Sequence, residues 1–143
     1  MARDATSRPG GDRMAEHPNA RLIRRGYESF ASGDLEALWE LMTAEVVWHE
    51  PGRSPLGGDY QGPAGVLELL GKLRDLSGGT FTVEIVDLLA TADRAIAIQE
   101  ETARRGGREL DVASAVDFEI HQGKITEVTV YQGDTHQFDE FWM

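Results

Sequence analysis

The strongest constraint on the fold is a change in hydrophobic period after Gly79. From there apolar and polar residues alternate, as they do in strands with one buried face. Three turn dipeptides divide the region: Ala92-Asp93, Gly106-Gly107 and Gln122-Gly123. The pattern predicts strands at 80–90, 93–104, 108–121 and 124–132, joined by hairpins into an antiparallel sheet.

The first half of the chain predicts helices instead. Apolar residues recur at helical spacing in three segments, 19–32, 35–41 and 63–77. Between them, Thr43 to Pro51 is rich in β-branched and aromatic residues and predicts a short strand, followed by a loop over 52–62. The last segment, Asp134 to Trp142, is rich in aromatic residues, and we expect it to fold back on the domain. This mixture of helices and hairpins is typical of the α+β class.

Length and composition limit the domain organisation and the chemistry. A chain of 143 residues suits one domain, and we expect a disordered tail at 1–17 before a domain at 18–143. The chain has no cysteine, which excludes disulfides, thiolate nucleophiles and cysteine-based zinc sites. Its four histidines lack ligand spacing, so we expect no metal and no cofactor.

Charge and hydropathy bear on partners and location. The net charge of −11 argues against nucleic acid and anionic membranes as partners, because both attract clustered cations. The sequence shows neither an apolar run of about 20 residues nor the apolar core of a secretory signal. We therefore expect a cytoplasmic protein.

Four stretches, in this order, resemble the nuclear transport factor 2-like superfamily and its SnoaL-like branch. They are FASGDLEALWELMTAEVVWHEP, GGDYQGPAGVLELL, HQGKITEV and VYQGDTHQFDEFW, and the resemblance covers about residues 19–142. It implies a cone-shaped fold in which a curved antiparallel sheet wraps three helices. Relatives include polyketide cyclases, ketosteroid isomerases and limonene-epoxide-hydrolase-like proteins, besides proteins that only bind or dimerise.

The resemblance also implies where a site and a partner would lie. The pocket in such proteins lies between the helices and the concave face of the sheet, and the convex face often meets a second subunit. We therefore expect a small-molecule ligand and a homodimer. On the strand from Leu110 to Ile120, alternation separates an apolar face from a polar one, and we assign the apolar face to the pocket. It comprises Val112, Ser114, Val116, Phe118 and Ile120.

Val130 departs from the pattern of the catalytic relatives. SnoaL-like cyclases have an aspartate there as the acid or base, with a histidine helper near Val116, and epoxide-hydrolase-like relatives also have a carboxylate at this place. A valine cannot transfer a proton. The resemblance alone therefore assigns neither activity.

Four polar residues remain as catalytic candidates. His49 stands near the place where epoxide-hydrolase-like relatives hold a water, and Gln99 falls on a functional position with Glu101 on the same face. Asp134 follows the last strand and could supply the missing carboxylate. Each has a structural alternative. His49 could hydrogen-bond to the backbone at a strand end, or His49 and Gln99 could hydrogen-bond to each other. Glu101 could lie exposed near the next turn, and Asp134 could cap a helical turn.

Further residues are candidates for ligand contact. We expect walls of the pocket to be formed by the aromatic rings of Tyr27, Trp39, Trp48 and Phe118. Tyr60 could close over the mouth of the pocket. The remaining candidates are Ser114, Val116, Val130 and Gln132.

Three functions fit these residues. The first is cofactor-free acid/base chemistry, of cyclase, isomerase or hydrolase type, on an apolar and polyketide-like metabolite that carries a hydrogen-bonding oxygen. The second is a protein that binds or sequesters a small molecule without catalysis. The third is a dimerisation module with a filled interior.

Overall fold

A computed structural model describes residues 16–143 and contains, within that range, four helices and six strands. The helices are α1 (Pro18–Ser32), α2 (Leu35–Glu40), α3 (Gly62–Leu76) and α4 (Thr135–Trp142). The strands are β1 (Met42–Glu50), β2 (Gly58–Gln61), β3 (Thr82–Thr91), β4 (Arg94–Arg105), β5 (Arg108–His121) and β6 (Lys124–Gln132). Of the predicted tail at 1–17, only Glu16 and His17 fall within the described residues.

Local signals explain where the first two helices begin and end. Pro18 suits the first turn of α1, and the ring Nδ1 of His17 accepts the backbone N–H of Asn19 at 3.0 Å. The helix ends at Gly33, which has a φ of +75° that a residue without a Cβ adopts without strain. Asp34 then caps α2 by accepting the N–H of Ala37.

The strands form one curved sheet in the order β2-β1-β6-β5-β4-β3. The predicted hairpins β3-β4, β4-β5 and β5-β6 are all present and antiparallel. Contrary to the prediction of a wholly antiparallel sheet, β1 runs parallel to β6. The two strands are far apart in the chain, so no tight turn requires them to be antiparallel.

Two further elements differ from the sequence-based expectation. The segment predicted as a loop contains β2, which pairs with Val47–Glu50 of β1 at the edge of the sheet. The C-terminal aromatic segment forms a fourth helix, α4, whose Phe138, Phe141 and Trp142 are buried, as expected for a segment folded back on the domain.

The core lies on the sheet face that the alternation predicted. Val112, Val116, Phe118 and Ile120 of β5 are each no more than 5% exposed. Helix residues Leu22, Ile23 and Val66 pack into the same cluster, so the helices cover this face. None of the helices within residues 16–143 is both long and apolar enough to cross a membrane.

Candidate functional site

A cavity of about 110 Å³, partly open to solvent, lies between the helices and the covered face of the sheet. It is of the same order as engineered cavities that bind benzene. Its walls are mostly apolar and include five aromatic rings, those of Tyr27, Phe30, Trp48, Phe81 and Phe118. The fold therefore has a filled core beside the cavity but not a wholly filled interior.

The polar part of the cavity is built by a row of residues across three strands. Gln99 of β4 lies directly opposite Ser114 of β5, which lies opposite Gln132 of β6. Glu101 is two residues beyond Gln99 on the same face of β4. The sheet register thus brings an acid and three hydrogen-bonding side chains together.

Glu101 is 3% exposed and its Oε2 accepts three hydrogen bonds. The donors are Ser114 Oγ at 2.5 Å, Gln132 Nε2 at 3.0 Å and Gln99 Nε2 at 3.1 Å. The Tyr27 hydroxyl extends the network from α1 by donating to Gln99 Oε1 at 2.5 Å. The other carboxyl oxygen, Oε1, accepts no hydrogen bond within residues 16–143, and Glu101 lines the cavity.

Burial dominates the electrostatics of this network. It raises the pKa of Glu101, while the hydrogen bonds from Ser114, Gln132 and Gln99 act in the opposite direction by favouring the carboxylate. Burial and the nearby Glu101 charge also raise the pKa of Tyr27, so its hydroxyl stays protonated and can serve as a donor.

A second acid, Glu50, lines the same cavity from the end of β1 and is 8% exposed. Its Oε1 accepts the indole N–H of Trp48 at 2.9 Å, and its Oε2 accepts no hydrogen bond within residues 16–143. Burial raises the pKa of Glu50 to about 8; the Trp48 bond lowers it, and the charge of Glu101 raises it further. Glu50 is therefore a neutral acid at pH 7.

Sequence reasoning missed Glu50, although a signal was present. Trp48 had been assigned to the pocket, and side chains two apart on a strand share a face. Trp48 and Glu50 must then point together, with His49 pointing away.

Sheet register also places Glu50 beside Val130. His49 pairs with Thr129 in the parallel β1-β6 ladder, so Glu50 is level with Val130, which also lines the cavity. Neighbouring strands are about 4.8 Å apart. The adjacent strand thus supplies a carboxyl group next to Val130, where the family resemblance led us to expect an acid or base.

His49 lies on the opposite face of β1, outside the cavity. Its ring nitrogens contact Asp59 at 2.8 Å and Glu127 at 2.6 Å, and about a third of its side chain is exposed. Hydrogen bonds to these two carboxylates raise the pKa of His49. The expectation that His49 and Gln99 line one cavity does not hold, because strand alternation turns the imidazole to the other face.

The other candidates fall into three groups. Tyr27, Trp48, Gln99, Glu101, Val116, Phe118 and Val130 line the cavity. Ser114 and Gln132 lie behind the lining and contact Glu101. The remaining three candidates, Trp39, Tyr60 and Asp134, lie away from the cavity.

Each of those three has a different local reason for its position. Trp39 is 48% exposed, because its neighbour Leu38 takes the inward side of α2. Tyr60 donates its hydroxyl to the Leu56 carbonyl at 2.7 Å and is not among the residues that line the cavity. Asp134 caps α4, its Oδ1 accepting the N–H of Gln137 at 2.9 Å.

The described residues contain no group of three or more histidine or acidic side chains placed to hold a metal ion. What the cavity offers instead is two acids, an amide and a phenol in an apolar enclosure. Such groups can bind a small molecule and exchange protons with it.

Comparison with known proteins agrees with this architecture. An uncharacterized protein of Mycobacterium tuberculosis is 31% identical over 130 residues, covering 90% of this chain and 99% of the relative. The structure of Bal32a, from a soil-derived mobile gene cassette, is 38% identical with a TM-score of 0.85, covering 88% of this chain and 97% of that one. A cystatin-like protein of Xanthomonas campestris is 30% identical with a TM-score of 0.79, covering 85% and 95%.

The sequence also matches a family description directly. Residues 23–128 match the SnoaL-like domain, and the solved structures of similar fold include NTF2-like proteins. This match spans most of the chain and includes every residue that lines the cavity except Val130. The chain belongs to the SnoaL-like domain family.

Proposed function

We propose that this protein binds a small apolar molecule in its interior cavity and catalyses a cofactor-free proton transfer on it, through Glu50 and Glu101. The observation that carries the proposal is the presence of two buried carboxyl groups on one apolar cavity. Each has one oxygen without a hydrogen-bond partner among residues 16–143. Buried acids with raised pKa values in a cleft are typical of acid/base sites.

The two acids differ in surroundings, which supports different roles. Glu101 accepts three hydrogen bonds on one oxygen, an arrangement that favours its ionised form and leaves Oε1 as a base. Glu50 has a single indole donor and a pKa of about 8, so it holds a proton at neutral pH. We assign Glu101 as the proton acceptor and Glu50 as the proton donor.

The position of Glu50 also matters because Val130 beside it cannot act as an acid or base. A valine at that place argues for a binding protein, since it cannot transfer a proton. Glu50 offers a carboxyl group from the neighbouring strand, level with Val130 and on the same face. Binding without catalysis remains the second candidate function, and the absence of an acid at Val130 is the observation that favours it.

A neutral reporter substrate tests the proposal without knowledge of the natural one. 5-Nitrobenzisoxazole is a small bicyclic molecule whose C3–H proton can be taken by a carboxylate. The N–O bond then breaks, the C–N bond becomes a nitrile and a coloured phenolate is released. We expect this protein to open the ring faster than the same concentration of acetate, because a base in an apolar cavity is less solvated.

Variants separate catalysis from binding. Glu101→Gln should lower the rate by about 100-fold or more, the usual contribution of a positioned base. Glu100→Gln, on the exposed face of the same strand, is the matched control and should keep the rate. If the reporter binds by calorimetry but the unaltered protein and Glu101→Gln open it equally slowly, the cavity serves binding alone.

A further inference from the structure

The hydrogen bonds around the cavity occupy nearly all of its donors, apart from the proton of the neutral Glu50. The Tyr27 hydroxyl donates to Gln99, both protons of the Gln99 amide are directed to Glu101 and Ser114, and Ser114 donates to Glu101. The Trp48 indole N–H is likewise taken by Glu50. What remains on the acids is Oε1 of Glu101, which is an acceptor, and Oε2 of the protonated Glu50.

No positive side chain balances these acids. The residues that line the cavity include no lysine, arginine or histidine in the described part of the chain. A buried carboxylate without a cation is unfavourable, and it either takes up a proton or acquires a cationic partner. The protein does not provide that partner within the cavity.

The apolar walls are also suited to a cation. Tyr27, Phe30, Trp48, Phe81 and Phe118 line the same space, and the faces of aromatic rings attract ammonium groups. Outside the cavity, the net charge of −11 favours the approach of cations and disfavours anions.

From these observations we infer that the ligand is a small hydrophobic amine, bound as its protonated form, with its N–H directed at Oε1 of Glu101. This inference rests on the proposed function of the cavity and names its ligand class. It replaces the oxygen-bearing ligand expected from the sequence with a nitrogen-bearing one.

Three matched probes test the inference by calorimetry at pH 7: benzylamine, benzyl alcohol and benzoate. They share one ring and differ in charge. We expect benzylamine to bind at least about tenfold more tightly than benzyl alcohol, because it adds a charge-assisted hydrogen bond and a cation–π contact. Benzoate should bind most weakly, since its negative charge would lie beside the Glu101 carboxylate in an apolar site.

A substitution then assigns the preference to one side chain. Glu101→Gln should reduce benzylamine binding to about the level of benzyl alcohol and leave the alcohol unchanged, whereas Glu100→Gln should alter neither. If Glu101→Gln does not fold, the comparison of the three probes on the unaltered protein still decides the matter.

The outcomes separate this inference from the proposed function. Equal binding of benzylamine and benzyl alcohol, or stronger binding of benzoate, would overturn the amine and leave the apolar cavity in place. Failure of all three probes to bind would overturn the amine together with the cavity as a binding site. Preference for benzylamine that persists in Glu101→Gln would overturn the assignment to Glu101.

Discussion

The indole N–H of Trp48 donates to Oε1 of Glu50 at 2.9 Å, across one face of β1. This contact orients a buried acid that has no other partner among residues 16–143. We expect Trp48→Phe to remove the donor while keeping an aromatic wall. The variant should lose roughly 1–3 kcal/mol of stability and raise the pKa of Glu50 further, since the bond favours the ionised form.

Carboxyl carbon NMR of labelled protein measures that pKa, and urea unfolding measures the stability. Trp39→Phe is the matched control, because Trp39 is 48% exposed and outside the cavity. An unchanged Glu50 titration in Trp48→Phe would show that the indole does not hold this acid in solution.

The raised pKa of Glu50 predicts how stability depends on pH. The folded protein holds this proton up to about pH 8, whereas the unfolded chain releases it near the ordinary value of 4.5. The contribution of Glu50 to the free energy of unfolding should therefore be greatest below pH 4.5. This contribution is lost as pH rises through 8, by on the order of a few kcal/mol.

Glu50→Gln removes the titrating proton and should flatten this part of the pH profile. The melting temperature of Glu50→Gln at pH 8.5 should exceed that of the unaltered protein. Melting curves between pH 5 and 9 check the slope, with the exposed Glu100→Gln as control. Parallel profiles for Glu50→Gln and the unaltered protein would contradict a buried, protonated Glu50.

Ser114 provides the shortest of the three hydrogen bonds to Glu101, at 2.5 Å. Ser114→Ala should destabilise the protein by about 1.5–3 kcal/mol, the range for a bond to a charged group. It should also raise the pKa of Glu101 further, because Gln99 and Gln132 alone then favour the carboxylate. Urea unfolding measures the loss of stability. Ser114→Cys, with its weaker S–H donor, should have a stability between those of the unaltered protein and Ser114→Ala.

His49 is predicted to stabilise the sheet without affecting ligand binding. Its raised pKa means that its contribution is fully present below the ordinary histidine value of about 6.5 and is lost as pH rises through the folded value. His49→Ala should cost less than about 1 kcal/mol at pH 6, because the ion pairs with Asp59 and Glu127 are solvent-exposed. Weakened binding of benzylamine or benzyl alcohol in His49→Ala would contradict its position outside the cavity.

The sheet face opposite the helices is predicted to join two copies of the chain. It presents Ala113, Ala115, Thr129 and Tyr131, of which Tyr131 is 59% exposed. A specific interface would bury about 1,200–2,000 Å² in total. Light scattering should give a dimer at micromolar concentration and a monomer for Tyr131→Glu; a monomeric unaltered protein would show that the prediction is wrong.

Where the two faces of a strand differ clearly in polarity, the alternation of apolar and polar residues predicted the fold correctly. On β5 the apolar residues Val112, Val116 and Phe118 leave only one face that can be buried, and the structure buries it. The hairpins followed from turn dipeptides for the same local reason. The parallel pairing of β1 with β6 could not be predicted in this way, because it depends on contacts between distant segments and on no turn.

The candidate site was predicted in part for similar reasons. Gln99 and Glu101 lie on an alternating strand and line the cavity as expected. On β1, Val46, Val47 and Trp48 are all apolar, so composition alone did not show which face was inward. Glu50 was overlooked because a glutamate before a proline at a strand end is usually exposed, and only the surrounding helices and sheet bury it.

The parallel ladder between β1 and β6 has a consequence for how the protein is made. His49 and Glu127, which meet across it, are 78 residues apart in the chain. During synthesis the edge of β1 that pairs with β6 therefore stays unpaired until β6 has been made. Trp48 and Glu50 lie on that strand, so the wall of the cavity that holds the second acid is complete only after β6 has paired with β1.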